Sequence, residues 1–272
     1  MMRYPAVFAV ALGLLAAAPA QAAVKTEKVE YTHGDAVLEG VVAYDDSSNS
    51  RRPGVLVVHE WKGLGPYAQR RAEQLAQLGY VAFAVDMYGK GVRAKDHEEA
   101  GKLSGIYRNN RTLTRGRIQA ALDVLRQNPL VDQERIAAIG YCFGGMTVLE
   151  LARSGADVLG VVSFHGALNT PTPADAKNIK GKVLVLHGEN DTFVTPDEVA
   201  AFEQEMQAAG VDYRLIKYPG AVHSFTVQEA GDDPSKGMAY NASADEQSWQ
   251  EMLKFFQQIF AESELKHLGK LF

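Results

Sequence analysis

The segment Ile136-Ala137-Ala138-Ile139-Gly140-Tyr141-Cys142-Phe143-Gly144-Gly145 leads a short apolar run directly into a glycine-rich turn. The unbroken apolar run predicts a strand that is buried on both faces. Residues 146–153 have the pattern of a helix, so the turn joins a strand to a helix. A strand, a turn of the form Gly-x-nucleophile-x-Gly and a helix make a nucleophile elbow, here with Cys142 in the nucleophile position.

The glycines of this turn have a steric explanation. Gly140 and Gly144 stand two residues on either side of Cys142, where larger side chains would collide in a tight turn. Such a turn raises the thiol above the sheet edge at a helix N-terminus, where the helix dipole favours a thiolate. The backbone N–H of Phe143 then points at a developing oxyanion. Taken alone, the same hexapeptide also fits a structural cysteine in an ordinary glycine-rich turn.

Strand and helix patterns alternate on both sides of this segment. Repeated strand–helix units predict an α/β fold with a mostly parallel central sheet flanked by helices on both faces. The predicted strands are residues 36–44, 55–58, 81–85, 136–139, 159–164, 183–186 and 213–218, and the predicted helices include 66–78, 97–103, 118–125, 146–153, one that starts after Thr195 and one around 249–260. Residues 87–114 are the least regular stretch, and their many charges predict a solvated surface.

The N-terminus has the pattern of a secretory signal peptide. Arg3 precedes an apolar run over residues 6–18, and Pro19 and Ala20-Gln21-Ala22 supply a break and a cleavage site. The run is too short for a membrane-spanning helix, which needs about 20 residues. We therefore predict a signal peptide at residues 1–22, a single domain at 23–272 without a membrane span, and export, in a bacterium to the periplasm.

Composition excludes several classes of function. The chain has 272 residues, of which 46% are hydrophobic and 22% charged, a balance typical of a globular protein. Its net charge of −5 lacks the basic excess expected of a protein that binds nucleic acids or anionic membranes. A single cysteine excludes an internal disulfide and a multi-cysteine metal site. No phosphate-binding loop, dinucleotide fingerprint or histidine pair with metal spacing is present, so we predict neither cofactor nor metal. The oligomeric state is not specified.

A candidate acid and a candidate base follow later strands. Asp191 lies in the loop after strand 183–186, and His223 lies in the loop after strand 213–218. The order nucleophile, acid, histidine is that of the α/β-hydrolase triad. We expect His223 to take the thiol proton and Asp191 to orient the imidazole. Asp191 as a turn residue, His223 as a surface histidine and Asp197 as the acid remain alternatives, although Asp197 fits a helix start better.

These motifs resemble those of the dienelactone hydrolase family of α/β-hydrolases. Gly140-Tyr141-Cys142-Phe143-Gly144-Gly145 resembles the family's Gly-Tyr-Cys-x-Gly-Gly, and Val57-Val58-His59-Glu60-Trp61 resembles its segment with a glutamate after the first central strand. Residues 85–88, 188–191 and 218–225 resemble a strand end, the acid loop and the histidine loop of the family, and the resemblance extends over residues 30–260. It implies a hydrolase of small ester or lactone substrates.

The resemblance assigns roles to two further residues. It implies that Glu60 contacts the resting thiol and controls its ionisation, and that the N–H of Trp61 is the second oxyanion donor beside that of Phe143. From the residues alone, Glu60 also fits a rim acid paired with Arg71, and Trp61 also fits a pocket wall.

The chain departs from the family's lactone-cleaving members at one position. Those members carry an arginine after His-Ser-Phe that engages a substrate carboxylate, whereas Thr226 and Val227 follow here. Arginines 108, 111, 115 and 117 are candidates to replace it. The leading hypothesis is an exported Cys-His-Asp ester or lactone hydrolase. The alternative is a non-hydrolytic, redox-responsive or ligand-binding module of the cell envelope that uses the same thiol.

Overall fold

The computed structural model describes residues 24–269, with side chains up to residue 265. The predicted signal peptide at 1–22 lies outside the described residues. The described strands are β1 (Val24–His33), β2 (Ala36–Asp45), β3 (Arg52–Val58), β4 (Val81–Val85), β5 (Val131–Tyr141), β6 (Gly160–Phe164), β7 (Lys182–Gly188) and β8 (Tyr213–Tyr218). The described α-helices are α1 (Pro66–Gln77), α2 (His97–Arg108), α3 (Arg111–Gln127), α4 (Phe143–Arg153), α5 (Pro196–Ala209) and α6 (Ala242–Gly269).

The strands form one eight-stranded sheet in the order β1-β2-β4-β3-β5-β6-β7-β8. Strands β3 to β8 pair in parallel, whereas β2 runs antiparallel to both β1 and β4. Consecutive strands from β3 to β8 are joined by connections that contain a helix or a long segment, as crossovers between parallel strands require. The predicted mostly parallel sheet with helices on both faces is confirmed.

Two hydrophobic cores sandwich the sheet. Successive residues of a strand point to opposite faces, so Val55 and Val57 of β3 belong to one core and Leu56 and Val58 to the other. Helices α1 and α6 cover the first core, and α3, α4 and α5 cover the second. All four of these β3 side chains are fully buried, which explains the continuous apolar run that the sequence shows.

Two stretches differ from the prediction. Strand β1 was not predicted, because it is an edge strand whose charged side chains hide its alternation; Lys25, Glu27 and Lys28 are exposed. The segment 87–114 is more helical than predicted, since α2 continues to Arg108 and α3 begins at Arg111. The side chain of Asp96 caps α2 by accepting a hydrogen bond from Glu99 N, which accounts for the helix start.

The sheet brings four loops to one edge. The segments with His59, Cys142, Asp191 and His223 follow the carboxyl ends of β3, β5, β7 and β8, respectively. Parallel strands present those ends at the same edge, which is where open α/β sheets bind their ligands. None of the helices within residues 24–269 is both long and apolar enough to span a bilayer.

Candidate active site

Cys142 occupies the one-residue turn between β5 and α4. Its backbone is left-handed, with φ 54° and ψ −111°, and its N–H donates to the carbonyl of Phe164 at 3.0 Å. A non-glycine residue in this conformation is strained, and the surrounding hydrogen bonds and packing hold it there. The half-buried thiol lies at the N-terminus of α4, as predicted from the elbow pattern.

The elbow glycines are required by close backbone contacts. A Cβ on Gly140 would overlap the carbonyl oxygen of Gly144 and lie 2.9 Å from Gly145 N. A Cβ on Gly144 would overlap the carbonyl oxygen of Val58, the last residue of β3, and lie 2.8 Å from that of His59. The first of these clashes is the crowding that the sequence predicts between positions two residues either side of Cys142.

The structure brings Cys142, His223 and Asp191 together. Nε2 of His223 lies 3.0 Å from Sγ of Cys142, and its Nδ1 lies 2.8 Å from Oδ2 of Asp191. The other carboxylate oxygen, Oδ1, accepts hydrogen bonds from the N–H groups of Phe193 at 2.8 Å and Val194 at 3.3 Å. Asp191 and His223 are buried, so the geometry is shielded from water. Asp197 instead lies in the first turn of α5, away from this line of contacts.

The electrostatics of the imidazole follow from its two partners. Burial disfavours the charged form of His223, but the negative charges of Cys142 and Asp191 and the hydrogen bonds to both outweigh burial and raise the pKa of His223 well above its usual value. A raised pKa makes His223 a strong proton acceptor for the thiol. The arrangement can therefore hold a thiolate beside an imidazolium.

The two candidate oxyanion donors are free to bind a ligand. Phe143 is the first residue of α4, and Trp61 follows β3; both line the same cavity as Cys142. Among the described residues, neither backbone N–H donates a hydrogen bond to a protein group. Unpaired N–H groups beside a nucleophile are the feature that an oxyanion hole needs.

Glu60 differs from its predicted contacts. Its carboxylate accepts a hydrogen bond from Ser224 Oγ at 3.3 Å, and among the described residues it forms no hydrogen bond with the thiol of Cys142. It also does not pair with Arg71, which forms its ion pair with Asp245. Burial raises the pKa of Glu60, while the neighbouring positive charge of His223 opposes that rise. Glu60 therefore reaches the histidine loop through Ser224, the residue after His223.

A cavity of about 220 Å³ opens above Cys142. Phe143, Met146 and Val194 make much of its wall apolar, and Arg108 of α2 reaches it as a cation. The segment predicted to be a solvated surface thus contributes to the site. Arg108 was one of four candidate arginines, and the sequence did not distinguish among them, because α2 lies far from Cys142 along the chain and only packing brings the two together.

A larger cavity of about 650 Å³ adjoins the first and shares Trp61 and Met238 with it. Val227, which replaces the arginine of lactone-cleaving relatives, lines this second cavity and not the one that contains Cys142. Of the four candidate arginines, only Arg108 lines the thiol cavity. The others make protein contacts: Arg111 with Asn169, Arg115 with Glu150 and Asp175, and Arg117 with the carbonyl of Met87.

The other strand-end histidines are buried, and among the described residues they form no hydrogen bond with Cys142, Asp191 or His223. Burial lowers the pKa of His59 to about 4, and its Nδ1 bonds to the carbonyl of Glu60. His165 and His187 are buried, which lowers the pKa of each, and Nε2 of His165 bonds to Thr226 Oγ1 at 2.7 Å. Within the described residues no group of three or more metal-ligating side chains is present.

Comparisons with known proteins identify the family of the chain. The model of the dienelactone hydrolase family matches residues 38–260. The chain belongs to the dienelactone hydrolase family. Protein usf of Aquifex pyrophilus is 30% identical to this chain over 211 residues. The aligned region covers 76% of this chain and 88% of that protein.

Solved structures of the family extend the similarity to the whole fold. A dienelactone hydrolase-like promiscuous phosphotriesterase from metagenomic libraries is 39% identical, with a TM-score of 0.82 over 87% of this chain and 99% of its own. The structure called m3DLH is 38% identical, with a TM-score of 0.84 over 87% of this chain and 98% of its own. The sheet and helices are those of the α/β-hydrolase fold, and the chain is a hydrolase of the dienelactone hydrolase family.

Proposed function

We propose that this protein is an exported hydrolase that cleaves small ester or lactone substrates through a thioester on Cys142. The observation that carries the proposal is the continuous line of contacts from Sγ of Cys142 through His223 to the carboxylate of Asp191, at 3.0 and 2.8 Å. Export depends only on the pattern of residues 1–22. Family membership supports hydrolysis, and the small cavity supports a small acyl group.

The proposed reaction has two halves, acylation of Cys142 and hydrolysis of the thioester. His223 accepts the thiol proton, and the thiolate of Cys142 attacks the substrate carbonyl, whose oxygen becomes an oxyanion near the free N–H groups of Phe143 and Trp61. As the carbon–oxygen bond breaks, His223 returns the proton to the departing alkoxide, leaving an acyl thioester. Water then gives a proton to His223 and attacks the thioester, which releases the acid and the thiol.

Glu60 has a role in this scheme through the histidine loop. Its hydrogen bond from Ser224 brings a half-buried carboxyl group near the positive charge that develops on His223. We propose that Glu60 modulates the thiol–imidazole pair from this position instead of by direct contact with sulfur.

Mass spectrometry of the intact protein with a slowly hydrolysed ester tests the proposed function. We expect a transient mass increase equal to the acyl group, located on the peptide that contains Cys142, together with release of the alcohol. Oxygen adducts on Cys142 without ester turnover would instead support the redox-responsive alternative. Ester turnover without an acyl adduct under single-turnover conditions would contradict the thioester route.

Arg108 is expected to give the enzyme a preference for acyl groups that carry a carboxylate. Its guanidinium donates to Ser104 Oγ at 3.1 Å and forms no ion pair with a described carboxylate, so its charge is available to a ligand. Arg108→Gln should lower kcat/KM by about 10-fold for a monoester of a short dicarboxylic acid, because a charge-assisted hydrogen bond contributes roughly 1.5 kcal/mol or more. Turnover of a neutral ester of equal length should change less than about twofold, since that substrate makes no charge-assisted bond.

Lys102→Gln is the matched control for that substitution. It removes the same charge from the same helix, but Lys102 is exposed and pairs with Glu98 instead of lining the cavity. The control should leave both substrates unaffected. Equal losses in the two variants would attribute the effect to net charge and contradict a contact by Arg108.

A further inference from the structure

Tyr88 lies behind the two candidate oxyanion donors. It follows β4, and it is buried, with a relative exposure of 8%. Its hydroxyl donates a hydrogen bond to the carbonyl oxygen of Trp61 at 2.8 Å. Its backbone N–H is held by Asp86 Oδ1 at 2.9 Å, so the residue is anchored independently of the site. A buried tyrosine hydroxyl needs a partner, and here that partner is the backbone of the residue proposed as an oxyanion donor.

The ring of Tyr88 contacts the other donor residue. Its centroid lies 5.4 Å from that of Phe143, the first residue of α4. The rings of His59 at 4.9 Å and Tyr107 at 5.3 Å complete the packing around Tyr88. Aromatic rings at these separations attract one another and have few alternative packings. Tyr88 thus contacts the donor segment after β3 through its hydroxyl and the donor at α4 through its ring.

The loop after Trp61 is built to approach this ring closely. Gly63 has a left-handed backbone, with φ 96°, and a Cβ there would lie 3.3 Å from Cδ2 of Tyr88 and 2.9 Å from the carbonyl oxygen of Val92. Glycine at this position lets the chain turn while the carbonyl of Trp61 stays within reach of the hydroxyl. Among the described residues, the N–H of Trp61 donates no hydrogen bond to a protein group.

We propose that Tyr88 is a positioning residue that holds the backbone N–H groups of Trp61 and Phe143 in the relative arrangement that an oxyanion requires. This inference rests on the proposed function, because it assumes that those two amides bind the oxyanion. Tyr88 itself contacts no reacting atom in this scheme. Its effect is confined to steps in which the carbonyl oxygen becomes charged, since that is when the two donors act.

The test compares Tyr88→Phe with Tyr107→Phe. Both substitutions remove one hydroxyl from the same aromatic cluster, but only the hydroxyl of Tyr88 bonds to Trp61. Tyr88→Phe should lower kcat for a neutral ester by about 10-fold with KM changed less than twofold, a smaller loss than the roughly 10²-fold or more seen when a donor is removed outright. Tyr107→Phe should stay within about twofold of the unmodified protein, because it leaves both donors held.

Two further measurements distinguish a loss of oxyanion-donor positioning from a general disturbance of the active site. A trifluoromethyl ketone that adds to the thiol and forms an oxyanion should bind Tyr88→Phe about 10-fold more weakly, in parallel with kcat. Alkylation of Cys142 by iodoacetamide forms no oxyanion, so its rate should equal that of the unmodified protein. An unchanged kcat, equal losses in the two variants, or slower alkylation in Tyr88→Phe would overturn the proposal.

The experiments distinguish failure of the role proposed for Tyr88 from failure of the proposed function. If Cys142→Ala retains ester turnover, the thioester mechanism is wrong whatever Tyr88→Phe does. If Cys142→Ala is inactive and Tyr88→Phe is fully active toward the same ester, only the positioning role is wrong.

Discussion

Cys142→Ala is expected to lower turnover of an activated ester by about 10⁴-fold or more while the protein stays folded. The substitution removes the sulfur that would form the thioester, and within this mechanism no other described group takes its place. Alanine keeps the Cβ, so the left-handed backbone at position 142 bears the same strain as before. The measurement is kcat/KM for a nitrophenyl ester beside the thermal unfolding temperature.

Cys142→Ser serves as the companion variant, because it places a hydroxyl instead of the thiol beside Nε2 of His223. It should keep a stable fold and regain little of the activity, since a hydroxyl in a site arranged for a thiol is a poorer nucleophile. Activity of Cys142→Ala close to that of the unmodified protein, with an unchanged unfolding temperature, would exclude Cys142 as the nucleophile.

Cys142→Ala is also expected to lower the pKa of His223. The pKa of His223 is raised despite burial because the negative charge of Cys142 and the carboxylate of Asp191 favour the imidazolium. Removing the sulfur leaves the burial penalty and takes away one of these charges, so the midpoint should move to lower pH in Cys142→Ala. Histidine-selective NMR over a pH series measures the midpoint, and an unchanged or higher midpoint would contradict the proposed ion pair.

Gly140→Ala is expected to lower the free energy of unfolding by about 4 kcal/mol or more, the range reached by the most damaging single substitutions. The added Cβ would overlap the carbonyl oxygen of Gly144 and lie 2.9 Å from Gly145 N. These atoms belong to the backbone at the start of α4, so no side-chain rotation relieves the clash. Urea unfolding followed by circular dichroism measures the loss, and activity should fall because Cys142 moves with the turn.

Gly101→Ala is the matched control. Gly101 lies inside α2, and a Cβ there meets nothing within 4 Å. Alanine is favoured over glycine in a helix interior by roughly 1 kcal/mol, so this variant should be more stable than the parent protein. Similar stability of Gly140→Ala and the parent would show that the elbow can relax, and would remove the steric explanation for its glycines.

The sheet was largely predictable because its central strands are buried on both faces. Residues 81–85 and 159–164 were predicted as strands, and they correspond to β4 and β6, in which every residue is buried. Strand β1 was missed because its exposed charges hide the strand pattern. Helix α2 was predicted at 97–103 but continues to Arg108, because Ser104 and Gly105 are weak helix formers that hide the continuation. The position of Arg108 against the cavity follows from packing and not from periodicity.

Some features of the candidate site were likewise predictable from the sequence, and others were not. Glycine spacing around Cys142 and the order of Asp191 and His223 were readable because backbone sterics and strand-end loops are properties of neighbouring residues in the chain. The partner of Glu60 was not readable, since it depends on which side chain of another loop comes within hydrogen-bond distance; the structure places Ser224 there, 164 positions away.

The amino-acid sequence by itself determined the fold class, the strained turn that carries the thiol and the strand ends that supply an acid and a base. Local periodicity and the size of a Cβ suffice for these, because both act over a few residues. Only the tertiary structure decided that Arg108 reaches the thiol cavity, that Val227 lines the neighbouring one and that Tyr88 joins the two candidate oxyanion donors. Those relations are distances between residues that are remote in the chain, and the packing of helices on the sheet sets them.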